Sequence, residues 1–199
     1  MKNILITQKV FFDRYKEFNC SLESNWFEFF KNTNVNLIPL NMRNFQKEKI
    51  TKLKPKGLIL SGGNDLYHLK KLKENMIRDK FEEKALTYAM KYKIPILGTC
   101  RGFQFIANFF GSKILKIFNH VRTNHNLRIN NKIFGFPIRK FIVNSYHNYS
   151  VKNLPDHFNK IVKCSDNSIE IAGSDNYKIL CLMFHPERFN KSQKQVDKI

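Results

Sequence analysis

The chain has 199 residues and a formal net charge of +19, with 42% hydrophobic and 14% aromatic residues. That length predicts one domain over residues 1–199 with a full core, the composition excludes disorder, and no apolar run reaches the roughly 18 residues a membrane span needs. The basic residues are mostly scattered lysines, and the cluster Lys47 to Lys56 with Lys70, Lys71 and Lys73 lacks interleaved aromatics, so a nucleic-acid partner is not expected. The charge reads instead as solvated surface, or as a positive field that draws in an anionic substrate.

Met1 to Gln8 is too short an apolar stretch for a signal peptide, and a cytoplasmic location is expected. Within it, Asn3 to Thr7 predicts a central strand of a covered parallel sheet. Asp13 to Glu17 reads as a polar connection. Ser21 is expected to cap a helix with Glu23 in its first turn and Leu22, Trp26, Phe29 and Phe30 at helical spacing on its core face. Val35 to Leu40 reads as the second strand, and the charged segment from Asn41 to Lys56 as a connection with a short surface helix. Gly57 to Leu60 is the third strand. Ser61-Gly62-Gly63 follows it, and two glycines there let the backbone approach a ligand and turn N–H groups outward, although an ordinary tight turn would look the same. Leu66 to Ile77 reads as a charged lid, and a helix is expected from Arg78 or Asp79 to Lys91, with Phe81, Ala85, Leu86 and Ala89 on its apolar face.

Ile94 to Leu97 then forms an apolar strand that meets Gly98-Thr99-Cys100-Arg101-Gly102, followed by a helical pattern through Phe103, Ile106, Ala107 and Phe110 to a C-cap at Gly111. This is the layout of a nucleophile elbow, in which a Cβ at Gly98 or Gly102 would clash with the adjoining strand or the helix start. The helix N-terminus directs N–H groups at the Cys100 sulfur and favours its thiolate. Taken alone, the stretch fits a small buried thiol equally well.

Past Gly111 the pattern becomes β-rich, with strands expected at Ile114 to Ile117, Asn126 to Phe134, Arg139 to Val143, Lys160 to Cys164, Ile169 to Ala172 and Ile179 to Phe184. The last runs into His185-Pro186-Glu187-Arg188. A thiol nucleophile needs a base, and the base needs an acceptor on its other nitrogen. Residues two apart at a strand end project to the same side, so Glu187 can orient His185. The four cysteines, Cys20, Cys100, Cys164 and Cys181, form no CxxC pair and no zinc spacing.

Gly98-Thr99-Cys100-Arg101-Gly102-Phe103-Gln104 with His185-Pro186-Glu187 resembles the class I glutamine amidotransferases, and within them the γ-glutamyl hydrolase branch (peptidase C26). Ser61-Gly62-Gly63-Asn64-Asp65, Arg78-Asp79-x-x-Glu82 and Val143-Asn144-Ser145-Tyr146-His147-Asn148 fit the same branch. The resemblance runs from about Gly57 to Arg188 and implies an α/β three-layer sandwich, with a mostly parallel central sheet and a β-rich second half. It further implies Cys100, His185 and Glu187 as catalytic residues and the N–H groups of Gly63 and Arg101 as an oxyanion hole. Gly62, Gln104, Asn144, Ser145, Tyr146 and His147 are the implied substrate contacts, and the Arg101 guanidinium either joins them or is structural.

The expected activity is hydrolysis of a small-molecule γ-glutamyl amide through a γ-glutamyl thioester, without metal or cofactor. The alternative is a glutaminase subunit that delivers ammonia to a separate synthase partner. His120 and His125 flank a polar loop near the pocket, without the spacing of a metal site on one helix face.

Overall fold

In a computed structural model, residues 1–129 and 139–188 are described. The chain opens with β1 (Lys2–Thr7), followed by the antiparallel strands β2 (Lys9–Phe12) and β3 (Phe18–Ser21). Asp13 turns the chain between them, accepting the N–H groups of Tyr15 and Glu17 at 2.9 Å. Ser21 therefore ends a strand and does not cap a helix. The Phe12 and Phe18 rings meet edge to face across the pair at 5.5 Å, a cross-strand contact that local helical spacing could not register. The helix itself, α1 (Asn25–Phe30), begins later, and Ser24 at its head makes no side-chain capping bond.

Next come β4 (Val35–Leu40), the short helix α2 (Lys47–Lys52), β5 (Gly57–Leu60) and α3 (Lys73–Lys91). Helix α3 starts before the expected Arg78 because Lys73 to Ile77 contains no breaker, and buried Asn75 ties its first turn to the Lys70 carbonyl at 2.9 Å. The elbow strand and helix are β6 (Ile96–Thr99) and α4 (Arg101–Phe109), after which Gly111 takes a left-handed φ of 89°. The β-rich half comprises β7 (Ile114–Lys116), β8 (Val121–Ile129), β9 (Arg139–Tyr146), β10 (Tyr149–Val151), β11 (Lys160–Lys163), β12 (Ile169–Ser174) and β13 (Ile179–Leu182). The expected strand end at Phe134 and the short tail after Asn190 lie outside the described residues.

Seven strands form the central sheet in the order β11-β12-β13-β6-β5-β1-β4. The five from β13 to β4 run parallel, and β12 and β11 extend the sheet antiparallel. Pro39, opposite Ile6, lies on the outermost strand, where its missing N–H breaks no ladder. One face buries Leu5, Leu58 and Leu60 against Phe81 and Leu86 of α3 and Phe103 and Ile106 of α4. The other buries Ile6 and Ile59 against Trp26 of α1, and Ile171 and Leu182 against Leu127 and Val143 of the β8–β9 pair. The result is three layers, with the second covering layer part helix and part antiparallel strand. Among the described residues no helix is long and apolar enough to cross a membrane.

Candidate active site

In the register of the sheet, Leu60 of β5 lies beside Gly98 of β6, and Thr99 lies beside Leu182 of β13. Three adjacent parallel strands thus end together, and the segments leaving their carboxyl ends carry Gly62 and Gly63, Cys100, and His185. Loops at the carboxyl ends of parallel strands are where α/β sheets place ligands.

Cys100 has φ 50° and ψ −107°, a strained conformation for a residue with a Cβ, at a cost of about 1–3 kcal/mol. Its N–H donates to the Leu182 carbonyl at 2.8 Å and its carbonyl accepts from Gln104 N–H at 3.1 Å, so strand and helix grip it from both sides. The turn is tight: a Cβ on Gly102 would overlap the Leu60 carbonyl oxygen, and one on Gly98 would come within 2.6 Å of Ile106 Cδ1. Cys100 is 7% exposed.

His185 is buried, and its Nδ1 pairs with Glu187 Oε1 at 2.7 Å. Strand alternation does not produce this pair, because β13 ends at Leu182. Both residues sit in a turn closed by the Arg188 N–H donating to the His185 carbonyl at 3.2 Å. Burial lowers the affinity of His185 for its proton. The charge of the Cys100 thiolate and a hydrogen bond to it outweigh that, with Glu187 adding to them, and the pKa is raised to about 10.

The Ser61-Gly62-Gly63-Asn64 segment is held from below by Arg78. That guanidinium donates to the carbonyls of Ser61 at 2.7 Å and of Gly62 and Gly63 at 3.0 Å. In a trans peptide C=O and N–H point oppositely, so gripping the Gly62 carbonyl sends the Gly63 N–H to the side away from Arg78. Gly63 takes φ 80°, and a Cβ on Gly62 would stand 2.6 Å from His185 Cε1, so the loop backbone lies directly against the imidazole.

The Arg101 side chain turns away from this surface. It pairs with Glu82 and Asp79, while Glu82 also accepts from Arg78 Nε at 2.9 Å and from Thr7 Oγ1 at 2.7 Å. The guanidinium is structural: it locks the elbow to the helix that carries the loop clamp. Burial lowers the Arg78 pKa to about 10 despite its Glu82 partner.

Gln104 lies one turn after Cys100, and its Nε2 donates to the Tyr149 carbonyl at 3.0 Å. Asn144 bonds the backbone of His185 at both its N–H and its carbonyl. Ser145 Oγ donates to the His120 carbonyl at 2.6 Å. The Tyr146 and His185 rings meet edge to face at 6.2 Å between centroids. His147 is buried, with Nδ1 bonded to the Tyr149 carbonyl at 3.0 Å; burial lowers its pKa to about 4. A cavity of about 290 Å³ opens beside Gly62, Gly63, His185 and Glu187. Lys9 and Arg188 also line it. The sequence alone assigns neither a role; Arg188 is held there by Glu23 at 2.9 Å, a partner far away in the chain.

A parallel sheet carrying a cysteine at a strand-to-helix elbow, with a histidine–glutamate pair at the neighbouring strand end, defines an α/β protein of the amidotransferase type. The family model described as Glutamine amidotransferase class-I matches residues 10–196, and the chain belongs to that family. It is 33% identical to the Gamma-glutamyl-CDP-amidate hydrolase of Campylobacter jejuni over 187 residues, covering 93% of this chain and 90% of that protein. Against the glutamine-hydrolyzing GMP synthase subunit of Pyrococcus furiosus it is 32% identical over 143 residues, 70% of each chain. A crystal structure of a glutamine amidotransferase from Thermotoga maritima superposes with a TM-score of 0.71 at 18% identity, over 98% of this chain and 80% of that one.

Proposed function

We propose that the protein is a cysteine hydrolase of γ-glutamyl amide bonds, with γ-glutamyl-CDP-amidate as its substrate and glutamate and cytidine diphosphoramidate as products. The observation that carries this reading is the convergence of Cys100 and the His185–Glu187 pair at the ends of adjacent strands. The Cys100 thiolate attacks the γ-carbonyl carbon, and the developing oxyanion takes hydrogen bonds from the N–H groups of Gly63 and Arg101, each worth about 3 kcal/mol in such a setting. Imidazolium His185 gives its proton to the leaving nitrogen as the C–N bond breaks, leaving a γ-glutamyl thioester. Neutral His185 then takes a proton from water, the hydroxide attacks the thioester, and the thiolate departs. Glu187 orients the ring throughout. Gln104 and the backbone of Asn144, Ser145 and Tyr146 hold the glutamyl end, and the backbone at His147 adjoins the leaving-group side. The central sheet carries the glycine loop, Cys100 and the His185–Glu187 pair together, which supports reading the chain as a single domain.

A phosphorylated leaving group suits the cavity cations Lys9 and Arg188 and the net charge of +19. It also fits the likeness to the Campylobacter jejuni enzyme over nearly the whole chain. Four unpaired cysteines suit a cytoplasmic location. The second reading, a glutaminase subunit working with a synthase partner, is favoured by the likeness to the Pyrococcus furiosus GMP synthase component over 70% of the chain.

Glutamate release from glutamine, γ-glutamyl-γ-aminobutyrate and γ-glutamyl-CDP-amidate, with Cys100→Ala as control, separates them. Turnover of the nucleotide amide well above glutamine, abolished in the variant, supports the hydrolase. Turnover of glutamine alone, or only after a synthase is added, overturns it in favour of the second reading.

A further inference from the structure

A second cluster of titratable side chains takes no part in the proton transfers of the proposed reaction. His120 precedes β8, His125 is on it, His147 follows β9, and Glu170 lies on β12 of the central sheet. One ligand atom from each lies within 4.8 Å of the others. The His120 ring centroid is 4.4 Å from that of His125 and 5.1 Å from that of His147. His120, His147 and Glu170 are buried, Glu170 completely, and the His125 side chain is 9% exposed.

Buried polar atoms in folded proteins almost always have a partner. Here His120 Nδ1, His147 Nε2 and Glu170 Oε2 have none. The far ends of the two rings are already occupied. His120 Nε2 bonds Asp166 Oδ2 at 2.6 Å, and His147 Nδ1 bonds the Tyr149 carbonyl at 3.0 Å. Those contacts put the ring proton on the outer nitrogen and leave a lone pair on the inner one, as carboxylate and carbonyl partners do for metal-bound histidines. Glu170 Oε1 adds a carboxylate oxygen 3.8 Å from His147 Nε2 and 3.0 Å from His125 Nδ1. Lone pairs and a carboxylate thus converge in a buried space, an arrangement that a cation relieves and a proton can satisfy only in part.

We propose that His120, His125, His147 and Glu170 bind one zinc ion. Three imidazoles and one carboxylate form a mixed nitrogen and oxygen set for a borderline divalent metal, and four protein ligands leave no open position, so the site is structural. The ion pins the β8–β9 pair to β12. Since β9 carries Asn144, which holds the His185 backbone, zinc would steady the candidate active site from behind. Binding displaces the proton shared by His125 and Glu170 and so weakens as pH falls.

The test uses the full chain without a polyhistidine tag, measuring zinc content after gel filtration, melting temperature against added zinc, and the visible d–d spectrum with Co²⁺. We expect about one zinc per chain, a melting temperature that rises with zinc, and Co²⁺ bands of a four-coordinate site without sulfur-to-metal charge transfer. Glu170→Gln and His147→Gln should each weaken binding at least roughly 10-fold to 100-fold. A Cys100→Ala/Glu187→Gln double variant should keep the ion, because it takes a thiol and a carboxylate from the competing Glu23, His185 and Glu187 group beside Cys100 and leaves the four proposed ligands untouched. The wild-type Co²⁺ spectrum decides the matter even if a core variant fails to fold. No retained zinc and no thermal response in wild type, or a metal lost from the double variant and kept by Glu170→Gln, would overturn the proposal.

Discussion

Asn144 clasps the backbone of His185 at two points: its Nδ2 donates to the His185 carbonyl at 2.8 Å, and its Oδ1 accepts the His185 N–H at 2.9 Å. A side chain of β9 thereby sets the height of the imidazole relative to Cys100. Asn144→Ala removes both bonds from a buried site and should cost about 1–3 kcal/mol of stability, with kcat for glutamate release down roughly 100-fold. Asn144→Asp keeps the acceptor and should fall between Ala and wild type. Equal activity for wild type and the alanine variant would show that the clasp does not position His185.

Gly62→Ala tests the packing of the loop on the ring. The added methyl would stand 2.6 Å from His185 Cε1, so the imidazole must shift while the sheet beneath stays intact. Activity should fall about 100-fold with little change in the urea midpoint, since a displacement near 1 Å is enough for that loss. An active variant with an unshifted ring would remove Gly62 from the geometry of the site.

Glu82 stands between Arg78 and Arg101 with no exposure at all. Burial alone would raise its pKa, but the two guanidinium groups, Arg101 first, hold it below the usual carboxylate value. Its contribution to stability is present above that usual value and disappears as pH falls through the depressed one. Glu82→Gln leaves two buried cations short of an anion and should cost about 3–5 kcal/mol, read as a lower urea midpoint at neutral pH. A loss under ~1 kcal/mol would mean that the guanidiniums find water or other acceptors.

His185 gives a pH signature of the opposite sign. Its pKa is raised to about 10 in the folded protein against about 6.5 unfolded, so the bound proton stabilises the fold. That contribution is complete below about pH 6.5 and is lost as pH rises through about 10. The Cys100 charge is the leading cause that raises the value, so Cys100→Ala should flatten the decline and shift the imidazole resonances to titrate at lower pH. Superimposable stability curves for the two proteins would show that the thiolate–imidazolium pair does not form.

Arg188 lines the cavity while lying 4.7 Å over the Tyr146 ring and bonding Glu23. If the leaving group carries phosphate, Arg188→Met should raise KM for γ-glutamyl-CDP-amidate about 10-fold or more, with a far smaller change for glutamine, since a charge-assisted hydrogen bond is worth about 1.5–3 kcal/mol. An equal effect on both substrates would assign Arg188 to the glutamyl end or to the fold.

The elbow was legible because everything that makes it is local. An apolar strand, glycines beside Cys100 and a helical repeat lie within Ile94 to Phe110, and the close approach of Gly98 to Ile106 and Gly102 that a Cβ would prevent is a property of that short stretch. The β2–β3 pair was not legible, because Phe12 and Phe18 meet across a turn and the Ser21 region satisfies helix-start chemistry equally well on paper. Arg101 carried two readings, and only Glu82 and Asp79, supplied by another helix, assign its guanidinium to the framework.

By itself, the amino-acid sequence determined the alternation of strands and helices from β4 to α4, the parallel sheet and the chemical kinds of group at Cys100, His185 and Glu187. Hydrophobic period and glycine placement act over a turn or two of chain, so they can be read along it. The tertiary structure decided which distant groups meet: Asn144 with His185, Arg78 with the Gly62 carbonyl, and three histidines with Glu170. Such meetings depend on the register of strands far apart in the chain, and the energy that selects them is burial and polar pairing summed over the whole core, which no local window contains.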